Sequence, residues 1–152
     1  MVQVNEAAPD FTLFDTERNQ VSLSGLRGSK VVIAFYPAAF TGVCTAEMCT
    51  FRDSMEALNQ ANAKVLGISA DSPWSNGAFS QKNQVNFPLL SDFDRATIRA
   101  YGVAFENFGG MPGYTASQRA VFIVNEEGVI TYRWVGENPG VQPNYDEVLA
   151  AL

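Results

Sequence analysis

The sequence predicts an α/β domain in which a central mixed sheet is flanked by helices. Short apolar, β-branched runs alternate with longer amphipathic segments, the pattern of βαβ units. The last two apolar runs are joined by a tight turn at residues 125–128, so the sheet is mixed rather than all parallel. At 152 residues, with 47% hydrophobic and 17% charged, the chain reads as one domain, 1–152. A domain of that size buries roughly 70% of its unfolded surface.

Residues 11–23 read as an N-terminal hairpin extension, FTLFD and VSL around a polar turn at 16–19. Residues 31–35 (VVIAF) form a continuous apolar run, as expected of a strand buried on both faces. Residues 45–62 read as one helix: Ala46, Cys49, Phe51, Met55, Leu58 and Ala61 share an apolar stripe, with Glu47, Arg52, Asp53 and Glu56 on the other face. Residues 64–69 (KVLGIS) make a second core strand. Asp71-Ser72-Pro73 then starts a helix to Asn83, weakened by Gly77. Next come a short strand at 87–90, a short helix at 94–101 closed by Gly102, and a core strand at 119–124 (RAVFIV). A strand at 129–135 and a terminal helix at 145–152 complete the order, and because that helix runs to the last residue, a slightly longer native C terminus is expected. Residues 105–117 (FENFGGMPGYTAS) form a long Gly-rich loop of the kind that covers a site.

Composition excludes several classes of function. The net charge is -6 and the ten basic residues are scattered, which argues against a nucleic-acid partner. There is no histidine, so Ser-His-Asp, Cys-His and zinc hydrolytic chemistry are implausible and no metal is expected. The first ten residues carry neither a basic nor an apolar signal region, and two cysteines do not make a disulfide scaffold. A cytoplasmic protein with reduced thiols is expected. The longest apolar stretch, 31–40, is about half the length of a membrane helix and contains Pro37, so no membrane partner is expected.

The informative segment joins the first core strand to the first long helix. Cys44 falls in the first turn of that helix, where unpaired N–H groups and the positive end of the helix dipole favour a thiolate. The same N–H groups can hold a peroxide oxygen, the Thr41 hydroxyl can hydrogen-bond the same ligand, and Pro37 walls off water without adding a competing N–H. Taken alone, Cys44 would be buried core, Arg119 a solvated strand end and Glu47 a first-turn acid that complements the dipole.

The arrangement Pro37-x-x-x-Thr41-x-x-Cys44 resembles the active-site signature of the peroxiredoxins, thiol peroxidases with a thioredoxin-like fold, and the element order agrees over nearly the whole chain. The resemblance implies that Cys44 is the peroxidatic cysteine, oxidised to a sulfenic acid by hydrogen peroxide or an organic hydroperoxide. It further implies that Thr41 orients the peroxide, Pro37 shields the sulfenate, Arg119 stabilises the thiolate and the leaving oxygen, and Glu47 buttresses the arginine. No metal, haem or flavin is implied, since a thiol supplies both electrons.

The spacing of Cys44 and Cys49 is similar to that of the peroxiredoxin Q subfamily, in which the second cysteine resolves the sulfenate as a disulfide. Five residues of helix rise about 7.5 Å, so that bond requires unwinding, and Cys49 at an apolar position is equally compatible with packing. Residues 34–44 and 138–148 instead resemble the AhpE-like subfamily, many of whose members use an external thiol. The reductant therefore stays open between thioredoxin, a glutaredoxin-like protein and a small thiol. Tyr36, Phe40, Trp74, Phe79, Phe105 and Phe108 are candidates for an apolar entrance, with core packing the alternative for most. The resemblance also implies a homodimer through loops beside the site. Two other readings compete: a disulfide oxidoreductase, disfavoured by the absence of Cys-x-x-Cys, and a redox-responsive binding or holdase module switched by Cys44 oxidation.

Overall fold

In the computed structural model, which describes residues 2–152, the apolar run after Lys30 becomes β3 (Lys30–Phe35), near the middle of a seven-stranded sheet. Alternate side chains of this strand enter opposite cores. Val31, Ile33 and Phe35 join one, while Val32, Ala34 and the following Tyr36 join the other. That two-sided burial is why the run carries no polar residue after Lys30.

The sheet order is β2-β1-β5-β4-β3-β8-β9, with β1 (Thr12–Phe14), β2 (Gln20–Ser22), β4 (Ala63–Ser69), β5 (Leu89–Ser91), β8 (Ala120–Val124) and β9 (Ile130–Val135). Strands β3, β4 and β5 are parallel; β8 and β9 run antiparallel to their neighbours and β1 runs antiparallel to both β2 and β5, giving the mixed sheet expected. One face is covered by α1 (Gly42–Asp53), α2 (Met55–Gln60), α3 (Pro73–Asn83) and α5 (Tyr145–Ala150), which contribute Met48, Phe51, Leu58, Phe79 and Val148. Phe11, Ile98 of α4 (Ala96–Ala100) and Tyr101 pack on the other. The Tyr101 ring centroid lies 5.2 Å from those of both Phe35 and Phe122. At Gly67 of β4 the neighbouring side chains crowd so close that an added Cβ would stand 2.6 Å from a Leu89 methyl and 3.3 Å from the Tyr36 ring.

Three expectations need correction. The helix expected at 45–62 starts earlier and is two helices, interrupted at Ser54, whose φ/ψ of -95°/1° leave the helical region. The Ser54 hydroxyl donates back to the Thr50 carbonyl at 2.9 Å, a contact that bends helices. No proline or glycine marks the break, so periodicity runs straight through it. The strand expected at 87–90 begins only at Leu89, after Pro88, which has no N–H to give a ladder. The loop at 105–117 is partly ordered by pairing of β6 (Ala104–Phe105) with β7 (Ala116–Ser117). The cap at Ser72 is as expected, its hydroxyl accepting from the Ser75 N–H. No helix is long and apolar enough to cross a membrane among the described residues.

Candidate active site

Chain direction sets the site: β3 ends at Phe35, and the loop through Pro37 delivers the chain to α1, with Thr41 at its N-cap position. Thr41 does not cap the helix with its side chain; its hydroxyl donates to the Ala38 carbonyl at 2.8 Å. Cys44, the third residue of α1, is fully buried. The first N–H groups of the helix lie around it without intrahelical partners.

Arg119 immediately precedes β8, whose pairing with β3 brings it against the base of α1. Its Nη2 stands 3.1 Å from the Cys44 sulfur and its Nη1 3.2 Å from Oε1 of Glu47. Both Arg119 and Glu47 are buried, with side-chain exposures of 1% and 0%. Glu47 thus faces inward, not outward as the amphipathic pattern placed it, because a cation 72 positions away in sequence compensates its burial. Ala46, expected on the apolar stripe, is exposed instead. Burial pushes the Glu47 carboxyl up to about 7, against the opposing pull of Arg119, and Oε2 has no hydrogen-bond partner.

The Pro139 carbonyl also holds Arg119, accepting from Nε at 3.1 Å and from Nη2 at 3.0 Å. Sequence reasoning missed this group, and no side-chain signature marks a backbone acceptor. Above the arginine opens a cavity of about 240 Å³ lined by Pro37, Thr41, Val43, Phe108, Arg119 and Pro139. Of the candidate entrance aromatics, Phe108 alone lines it. Tyr36 and Phe79 are core, Phe105 packs on Phe108, Phe40 sits exposed on Phe79, and Trp74 is exposed beside Arg18.

Pro37, Thr41, Cys44, Glu47 and Arg119 are therefore brought together. Cys49 is not: it is half-buried further along α1, its sulfur 4.0 Å from Oδ1 of Asn83, and both cysteines are free thiols. Helix rise and rotation set Cα atoms five residues apart at roughly 8–9 Å, beyond disulfide reach. No group of acidic or cysteine side chains suited to a metal ion occurs among the described residues.

A buried thiol at a helix start, bonded to an ion-paired arginine under a small cavity, on this sheet, defines the class of the thioredoxin-like thiol peroxidases. The chain matches the AhpC/TSA family over residues 4–133. It is 41% identical over 133 residues to a putative peroxiredoxin bcp of Coxiella burnetii, covering 88% of each protein. To chloroplastic peroxiredoxin Q of Populus jackii it is 40% identical over 153 residues, covering 99% of this chain and 68% of that one. Among solved structures, peroxidoxin BcpB of Mycobacterium tuberculosis superposes with a TM-score of 0.88 at 27% identity, covering 99% of this chain and 96% of that one. A mutant of Xanthomonas campestris peroxiredoxin Q gives 0.82 at 35% identity, with coverages of 93% and 88%. The chain belongs to the AhpC/TSA family and is a peroxiredoxin, a thiol-dependent peroxidase. These likenesses do not favour the holdase alternative.

Proposed function

We propose that Cys44 is the peroxidatic residue, acting on hydrogen peroxide and organic hydroperoxides that enter the cavity over Arg119. The observation that carries this reading is the 3.1 Å contact between the buried Cys44 sulfur and Nη2 of Arg119, the residue that lines that cavity. Because the Thr41 hydroxyl already donates to Ala38, it is left to accept the peroxide O–H, while the α1 N–H groups and Arg119 donate to the peroxide oxygens. The thiolate attacks the nearer oxygen: an S–O bond forms, the O–O bond breaks, and the departing oxygen takes up the peroxide proton as water or an alcohol. Sulfur is oxidised to the sulfenate and the peroxide is reduced. Pro37 walls the sulfenate, and Glu47 fixes the Arg119 fork.

Regeneration consumes two thiol electrons. Cys49 supplies the first thiol if α1 unwinds, releasing water as the Cys44–Cys49 disulfide forms; otherwise an external thiol does. Thioredoxin, a glutaredoxin-like protein or a small thiol is the reductant, and the protein acts in the cytoplasm. A homodimer is supported by four exposed apolar side chains, Phe40, Trp74, Phe93 and Met111. The first three follow the C-terminal ends of the parallel strands β3, β4 and β5, and so lie at one end of the sheet beside the site. The test is the intact mass of reduced protein after one equivalent of hydrogen peroxide. Loss of about 2 Da with both thiols consumed means a Cys44–Cys49 cycle; gain of about 16 Da on Cys44 means a sulfenate awaiting an external thiol. Oxidation that survives Cys44→Ser overturns the reading.

A further inference from the structure

The loop that presents Thr41 to the peroxide is held in an unfavourable backbone conformation. Phe40, the residue before Thr41, has φ of 65°, which a non-glycine residue keeps only when its surroundings impose it. Its ring is half exposed, resting on the edge of Phe79 at 5.3 Å between centroids, so burial of the side chain is incomplete compensation. The imposing contacts come from one place, the segment running from the end of β4 into α3. Asp71 Oδ2 accepts the Ala39 N–H at 2.9 Å and the Ser69 hydroxyl at 2.8 Å. Ser69 is fully buried and its oxygen also accepts the Asp71 N–H at 3.2 Å, which fixes the carboxylate from both sides. The Ser91 hydroxyl of β5 donates to the Asp71 carbonyl. One residue before Pro37, the Tyr36 hydroxyl donates to Oδ1 of the buried Asn76 in α3 at 2.7 Å. Burial holds that phenol protonated, so it remains a donor.

The loop between Tyr36 and Thr41 is thus pinned at Tyr36 by Asn76, at Ala39 by Asp71 and at Phe40 by Phe79. Asp71 is the charged member of this set, and its bond is the one made to the loop backbone itself. A carboxylate accepting an N–H is a strong bond of its kind, and its loss lets the φ of Phe40 relax and carries Thr41 with it. From this we infer that Asp71 is a positioning residue for the peroxide step: it holds the strained Ala39-Phe40 backbone so that Thr41 keeps its place in the cavity over Arg119, the partner of Cys44. This inference rests on the peroxidase reading of Cys44. Asp71 touches neither the Cys44 sulfur nor Arg119, so it acts on where the peroxide sits and not on the reactivity of the thiol.

That separation makes the inference testable with two reagents on one cysteine. Oxidation of Cys44 by hydrogen peroxide needs a positioned substrate, whereas alkylation by iodoacetamide needs only an accessible nucleophile. In Asp71→Ala the second-order rate of peroxide oxidation is expected to fall by about tenfold or more, with the alkylation rate and its pH profile within about twofold of the parent. Asp71→Asn keeps a carbonyl oxygen for the Ala39 N–H and is expected to recover most of the peroxide rate. Ser69→Ala, which loosens the carboxylate and also removes the Ser69 hydroxyl from Asn76 and the Tyr36 phenol, is expected to fall between the two and serves if Asp71→Ala does not fold. Equal losses with both reagents, or an unchanged peroxide rate in Asp71→Ala or, failing that, in Ser69→Ala, would overturn the positioning role. Peroxide oxidation that persists in Cys44→Ser overturns instead the reading on which it stands.

Discussion

Cys44 and Cys49 share one helix five residues apart, yet the surroundings of the two thiols have almost nothing in common. Cys44 is enclosed at the helix start and touches the Arg119 guanidinium, which Glu47 and the Pro139 carbonyl hold in place. Cys49 is half-buried in the next turns, with a weak contact to the Asn83 amide. Residue type and secondary structure are the same, so the chemical difference comes from tertiary partners, above all from an arginine 75 positions away. A cysteine is made into a candidate nucleophile by what the sheet topology places beside it.

The comparison breaks most directly at the two sulfurs. Cys44→Ser should lower peroxide turnover by about a thousandfold or more, while Cys49→Ser should leave the first oxidation intact, as read by thiol-dependent peroxide consumption and rapid-mixing oxidation. Arg119→Met should cost about a hundredfold in the peroxide step and also about 3–5 kcal/mol of stability in urea unfolding, because it strands a buried Glu47. Adding Glu47→Leu to Arg119→Met should restore most of that stability and none of the activity, separating the structural from the chemical duty of the arginine.

A pH series probes the same ion pair. Glu47 ionises at about 7 in the folded protein, against 4.5 for an ordinary glutamate, so between these values the folded state retains a proton that the unfolded chain has lost. The stability this proton confers is complete below pH 4.5 and is lost as pH rises through 7, with a slope of up to about 1.4 kcal/mol per pH unit. Unfolding free energies of the parent should show that decline and those of Glu47→Gln should lack it. The smallest effect belongs to the second thiol: Cys49→Ser should change stability by less than about 1 kcal/mol, consistent with its weak contact to Asn83.

Which parts were legible in the sequence follows from the range of the forces involved. The β3 run, the capped start of α3 and the β8–β9 hairpin are written in local apolar pattern and turn residues, and the structure has them where expected. Pro37, Thr41, Cys44, Arg119 and Glu47 are all named from a short motif and a resemblance, and the fold gathers the five. Periodicity alone does not show the inward face of Glu47, because it assigns a charged side chain to solvent; only the resemblance pairs it with Arg119. The Pro139 carbonyl and the Asp71 contact to Ala39 involve backbone groups, which every residue carries alike. The break at Ser54 was hidden because a serine back-bond has no distinctive spacing.

Helix α1 itself is a poor helix by composition. Gly42, Val43, Cys44, Thr45, Cys49 and Thr50 all rank low in intrinsic preference, and Thr45, Thr50 and Ser54 each return a hydroxyl to the carbonyl four residues earlier. Its order is borrowed from Met48 and Phe51 in the core and from the ion pair. The break at Ser54 divides it from α2, which keeps Leu58 on β4 independently. The consequence is a boundary in cooperativity: the order of α1 rests on tertiary contacts rather than on its own helix preference, so its amide hydrogens are expected to exchange as a unit distinct from α2.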